Sequence, residues 1–309
     1  MNTVPCTTLE AGCGLCALRS RRLFTRLLAG GGALALAAPL GAMAQVQPGT
    51  AGEVGVMNDV GRASRMAKLV PAEQVEGAAA QQYVQMMRQA SGQRALAPPE
   101  HPQVVRLRSI GQRLLPFTSP WNERARQWKW EVNLLLSNEI NAFCMPGGKI
   151  AFYMGILQKL QLTDDEVATI MGHEVAHALR EHARERMGKT AATRGLIEIG
   201  SSLLGLGDLG RTFAGMGGQL LSLKFGREDE TEADIVGMDL AARAGYDPAA
   251  GVTLWQKMMA ANKGAPPQWM STHPASDTRI REIQLKLPKV QPLFDKAPRP
   301  SKRFSPPAG

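Results

Sequence analysis

Thr163-Asp164-Asp165-Glu166-Val167-Ala168-Thr169-Ile170-Met171-Gly172-His173-Glu174-Val175-Ala176-His177 decides how this chain is read. Thr163 followed three residues later by Glu166 is a capping box, so a helix starts here and runs through both histidines to about Met187. Residues four apart on a helix lie about 40° apart around its axis, which puts the imidazoles of His173 and His177 on one side. Two neutral imidazoles so placed make half of a tetrahedral zinc site. Glu174, adjacent in angle, is placed to take a proton from water held at the metal. Ile170, Met171, Val175, Ala176 and Leu179 supply the buried side. Three fixed residues are a short pattern; the capped start ahead of them separates it from a surface helix with stray histidines.

A third ligand is required. His182 is nine residues from His173, half a turn away on an unbroken helix, so it faces elsewhere. Arg180 stands where a glycine would turn the chain back towards the metal. The third ligand is therefore expected from Glu230-Thr231-Glu232-Ala233-Asp234, where Glu230 and Asp234 share a helical face and Glu232 points nearly opposite. Glu230 then binds zinc while Asp234 orients a ligating histidine through its second ring nitrogen. The plain alternative is an acidic, solvated helix start.

Outward from this centre the chain reads as α+β and mostly helical. Helical patterns cover about 72–91 and 102–115, the second with Val104, Val105, Leu107, Ile110 and Leu114 at helical spacing. Strand character follows at 128–137, 142–145 and 150–153, broken by Pro146-Gly147-Gly148. Residues 195–223 are apolar and Gly-rich, but Glu198, Asp208 and Arg211 interrupt them, so a helix, a Gly-rich lid at 203–218 and a further helix are expected rather than a membrane span. Helices at about 229–243 and 275–286 follow, the first stopped by Gly245.

Four segments result. Residues 1–44 are a cleavable export signal, with Ser20-Arg21-Arg22-Leu23-Phe24, an apolar stretch from Leu27 to Leu40, and Ala42-Met43-Ala44 before Gln45. The paired arginines are twin-arginine-like, although an ordinary secretory signal reads much the same. Residues 45–70 are a linker, 71–287 the zinc domain, and 288–309 a Pro-rich basic tail expected to be disordered. Cys6, Cys13 and Cys16 fall in the signal, leaving Cys144 alone and no internal disulfide. Arg19, Arg21, Arg22 and Arg26 against Glu10 carry three of the nine net positive charges, so +6 remains after cleavage. That excess favours peripheral contact with anionic membrane surfaces. No basic block is interleaved with aromatics, which argues against nucleic acid as a partner.

Asn141-Ala142-Phe143, Pro146-Gly147-Gly148, His173–His177 and Glu230–Asp234, in that order over about 100–286, resemble the gluzincin peptidases of the HtpX, BepA, LoiP and Oma type. Thr272-His273-Pro274 with Arg279 looks like a late motif of the same group. The resemblance implies a zincin-like fold with one zinc, Glu230 as third ligand and Glu174 as catalytic base. It also implies an edge strand at Asn141 and Ala142 along which an extended peptide is bound by β-augmentation. His273 has three readings: an oxyanion stabiliser, a fourth ligand blocking the resting site, or a loop histidine held by its proline turn. Cys144 departs from the small residue expected there and reads as a buried hydrophobe. Membrane helices and a helical-repeat region are missing from the pattern, so the nearest likeness is to compact LoiP-like members. The expected activity is zinc-dependent endopeptidase cleavage of unfolded or misfolded envelope proteins in the periplasm, in contact with envelope assembly machinery. The rivals are a holdase that binds without cutting and a zinc amidase acting on cell-wall material.

Overall fold

The structure, a computed structural model, describes residues 55–202, 223–261 and 267–308, without the side chains of 194–202. The expected export signal and the expected lid at 203–218 therefore lie outside the described residues. Helices α1 (Ala72–Gly92) and α2 (Pro102–Leu114) precede strands β1 (Glu131–Leu135), β2 (Ala142–Met145) and β3 (Lys149–Tyr153). Then come α3 (Met154–Lys159), α4 (Asp164–Leu179), α5 (His182–Ser202), α6 (Arg227–Arg243), α7 (Ala250–Ala261), α8 (Gln268–Thr272) and α9 (Asp277–Lys296).

The sheet has the order β1-β3-β2, with β3 parallel to β1 and antiparallel to β2. Successive side chains of a strand point to opposite faces, and the core divides accordingly. Val132, Leu134, Ala142, Ile150 and Phe152 join the large core with α2, α4 and α6. Leu135, Phe143, Met145 and Ala151 join Tyr83 and Met87 of α1 on the other face. The outer edge of β1 is covered by residues 95–97, through Ala97 N–H to Leu134 O and Leu136 N–H to Ala95 O. Among the described residues no strand pairs with the outer edge of β2, which faces the site.

α4 begins as its sequence requires. Thr163 Oγ1 accepts from Glu166 N–H, and Glu166 Oε2 accepts from Thr163 N–H at 2.8 Å. The helix is buried almost all round, with α2, α6 and α7 packed about it. Its end differs from the expectation of one helix to Met187. The helix stops at Leu179, Glu181 takes φ +58°, and a new helix starts at His182. A non-glycine residue in the left-handed region carries no sequence flag, which is why the break is invisible beforehand.

The ends of the domain also differ. Part of the expected linker is packed: Val56, Ala67 and Val70 are buried, and a 3-10 turn at Arg65–Leu69 lies on α5. The tail expected to be disordered is ordered through residue 308. α9 continues past Pro288 and Pro292 because Val290 and Leu293 are buried in the core, so packing outweighs two missing donors. Beyond it Arg303 meets Asp165 at 2.8 Å and Phe304 N–H donates to Asp164, which ties the tail to the first turn of α4.

Candidate metal centre

The site is built where α4 crosses α6. A Cβ on Gly172 would lie 2.6 Å from Gly237 O, and one on Gly237 would lie 2.6 Å from His173 N. The two backbones therefore touch, which is what lets the short carboxylates of α6 reach the histidines of α4. Gly237→Ala is expected to force the helices apart, lowering unfolding free energy by about 1–3 kcal/mol and weakening metal binding. Urea unfolding of the metal-free protein checks the first effect; an unchanged midpoint would show that the crossing has slack.

Four buried donors converge: His173, His177, Glu230 and His273 each offer an atom, all within 4.8 Å of one another. His173 Nε2 lies 3.1 Å from His177 Nε2 and 3.2 Å from His273 Nδ1. Glu230 Oε1 is 3.5 Å from His177 Nε2 and 3.0 Å from His273 Nδ1, and Glu230 Oε2 is 3.6 Å from His173 Nε2. Asp234 Oδ1 is 3.0 Å from His173 Nδ1, the ring nitrogen facing away from the cluster. Arg279 closes the arrangement from α9. Its Nε and Nη2 donate to the two oxygens of Asp234 at 2.6 and 2.7 Å, and its guanidinium stacks 3.7 Å over Trp255. Arg279 Nη1 comes within 2.6 Å of Glu230 Oε2 but off the line of its N–H, so that buried oxygen is compensated in charge without a hydrogen bond.

Residues 103–286 match the family described as peptidase family M48. The chain belongs to that family. It is 33% identical over 199 residues to the mitochondrial metalloendopeptidase OMA1 of Schizosaccharomyces pombe, covering 63% of this chain and 56% of that one. It is 30% identical over 151 residues to the metalloprotease LoiP of Escherichia coli, covering 48% and 59%. It is 25% identical over 197 residues to the beta-barrel assembly-enhancing protease of Escherichia coli, covering 60% and 39%. The matches thus span less than two thirds of each of these relatives.

The residues of this M48 domain fit zinc, the metal of the family. Bonds of about 2.0–2.1 Å in a tetrahedron imply ligand atoms about 3.3 Å apart, close to the spacings found. Burial, then the neighbouring His173, His182 and His273, push His177 well below the usual histidine range, so it is neutral and able to ligate. Burial alone would raise Asp234, but Arg279 and the bond to His173 hold it down at about 2. Burial would likewise raise Glu230, and His273 and Arg279 outweigh it. For His273 burial favours the neutral ring, but the carboxylates of Glu174 and Glu230 raise its pKa in the metal-free state.

A groove runs past this centre, lined by Val75, Trp128, Phe143, Glu174, His177 and Arg184 among others. Glu174 Oε1 accepts from Trp269 Nε1–H at 2.7 Å and lies 3.6 Å from His273 Nε2. β2 forms one wall. Asn141 O accepts from Tyr153 N–H, so pairing alternates to leave the main-chain groups of Ala142 and Cys144 facing the open edge. The outward N–H of Ala142 is held by the Asn141 side chain at 3.0 Å. Burial and the Glu174 carboxylate push the Cys144 thiol well up, consistent with an inert hydrophobe.

The fold brings here four residues that the sequence reading does not place at the site. Phe225 stacks on His177 with centroids 4.0 Å apart, and Trp269 stacks on His273 at 5.0 Å. His182, expected to face away, bonds His177, and Glu232, expected to point away from the ligands, bonds His182. Phe225 and Trp269 are brought by tertiary packing that no local pattern signals, and Glu232 enters through His182, which the break at Glu181 folds back onto α4.

Proposed function

We propose that this protein is a zinc-dependent endopeptidase that cuts unfolded or misfolded polypeptides laid along β2. The observation that carries the reading is the placement of the Glu174 carboxylate between the buried donor cluster and a groove walled by an open strand edge. His173, His177 and Glu230 hold the metal, and Asp234 orients His173. Zinc supplies a Lewis acid that polarises the scissile carbonyl and makes water more acidic. An extended substrate pairs with the main chain of Ala142 and Cys144, its carbonyl replacing Asn141 Oδ1 on the Ala142 N–H. Glu174 takes the proton of the attacking water and returns it to the leaving amine. Trp269 Nε1–H holds one oxygen of Glu174, leaving the other free for that transfer. His273 places Nδ1 among the donors, as a fourth ligand would, while its Nε2 lies 3.6 Å from Glu174 Oε1 on the groove side.

Main-chain pairing reads extension rather than side chains, which suits partly unfolded chains over a defined cleavage sequence. The arginine pair with its apolar stretch, and the bacterial relatives named for metalloprotease and barrel-assembly roles, support an exported protein of the bacterial envelope, acting in the periplasm beside assembly machinery. Among the described residues no helix is long and apolar enough to cross a membrane. The test is cleavage of casein and of a urea-unfolded outer-membrane protein by the purified chain, with and without a zinc chelator. Loss of cutting in chelator and its return with zinc are expected. Tight binding of unfolded chains without cutting would favour a holdase, and cutting confined to cell-wall crosslinks an amidase.

A further inference from the structure

Resting on the reading of His177 as a zinc ligand, we propose that His182 and Glu232 are positioning residues that fix the tautomer of His177 through a two-step hydrogen-bond relay. His177 Nδ1 lies 2.8 Å from His182 Nδ1, His182 Nε2 lies 3.1 Å from Glu232 Oε2, and Arg180 Nε donates to Glu232 Oε1 at 2.5 Å. Both histidines are buried, while the Glu232 side chain is 25% exposed.

The proton positions follow from valence alone. His177 turns Nε2 to the donor cluster, so that nitrogen carries no proton when it ligates, and the ring proton sits on Nδ1. It is donated to His182 Nδ1, which must then be bare. The proton of His182 therefore sits on Nε2 and is donated to the Glu232 carboxylate, which accepts only. Arg180 pairs with the other oxygen of Glu232, so the relay ends on a charge-paired carboxylate. Reversing any proton leaves two N–H groups or two lone pairs facing each other in a buried space.

The two ligating histidines are thus supported differently. His173 meets the Asp234 carboxylate directly, whereas His177 reaches its carboxylate through a second imidazole. The break at Glu181 makes this possible, because it folds His182 back onto the end of α4. The relay also spans α4, α5 and α6, so it ties the helix that follows the site to both helices that supply the ligands.

The experiment measures zinc affinity of the full chain by competition with a chromogenic chelator, with circular dichroism confirming the fold. Loss of an outer partner of a ligating histidine weakens metal binding by about 10–100-fold, and this is expected for His182→Ala. His182→Asn places its amide oxygen where His182 Nδ1 stood and is expected to recover most of the affinity. His182→Gln puts its amide at the other ring nitrogen's position, away from His177 Nδ1, and is expected not to. Glu232→Ala, at a half-buried position, tests the outer step even if His182→Ala fails to fold, and the double variant should bind no more weakly than His182→Ala. Parent-like affinity in both single variants would overturn the relay and leave the metal site standing. A parent chain that binds no zinc would overturn the site reading itself.

Discussion

Glu174→Gln is expected to keep the fold and one bound zinc while losing peptide-bond hydrolysis by about three orders of magnitude, within the 10²–10⁴-fold of general acid–base catalysis. The substitution is nearly isosteric. A glutamine oxygen still accepts from Trp269 Nε1–H, which spans 2.7 Å to Glu174 Oε1, so the stack of Trp255, Trp269 and His273 has no reason to shift. What disappears is the capacity to accept a proton, which an amide lacks at any ordinary pH. The metal ligands are untouched, so zinc content by elemental analysis should equal the parent's. Cleavage of unfolded casein is the readout. Activity within tenfold of the parent would remove Glu174 as the base and turn attention to His273, whose Nε2 lies 3.6 Å from the same oxygen.

How much of this was legible beforehand differs from residue to residue. The capping box, the side-by-side imidazoles and the Glu230–Asp234 face are local: helical geometry fixes them wherever the helix goes, and the structure brings their side chains together. Strands β1 to β3 were marked by β-branched and aromatic runs between turn residues, but their order was not, because the parallel pairing of β1 with β3 is a tertiary choice. His182 turns back towards the site against the half-turn expectation. The half-turn argument assumes an unbroken helix, and a left-handed Glu181 removes that premise. In the tail, prolines and basic residues signal disorder locally while Val290, Leu293 and Phe304 find partners at long range. Arg279 was visible only as part of a late motif. Its work, compensating two buried carboxylates, needs α9 laid against α6.

That compensation makes Arg279→Met strongly damaging to the metal-free protein. Arg279 is 4% exposed and faces Asp234 at 2.6 Å and Glu230 at 2.6 Å, both buried. Removing one partner of a buried ion pair strands the other and costs about 3–5 kcal/mol; here two carboxylates are stranded and a stacking contact with Trp255 is lost as well. The sign of the pH dependence follows. Asp234 sits at about 2 in the folded chain, below the ordinary 3.8, so its contribution is fully present above pH 4 and is lost as pH falls through 2. At 1.36 kcal/mol per pKa unit that contribution is on the order of 2 kcal/mol. Without Arg279 the carboxyl of Asp234 loses the largest influence holding it down and rises, Glu230 rises less because His273 still holds it, and acid unfolding should begin at a higher pH than in the parent. Urea unfolding of the chelated variant at several pH values measures both effects. Zinc must be absent, because a bound dication near Glu230 offsets part of the charge that Arg279 balanced. A variant as stable as the parent in chelator would mean that water reaches Asp234 and Glu230, and that the buried electrostatics of this centre are weaker than its geometry requires.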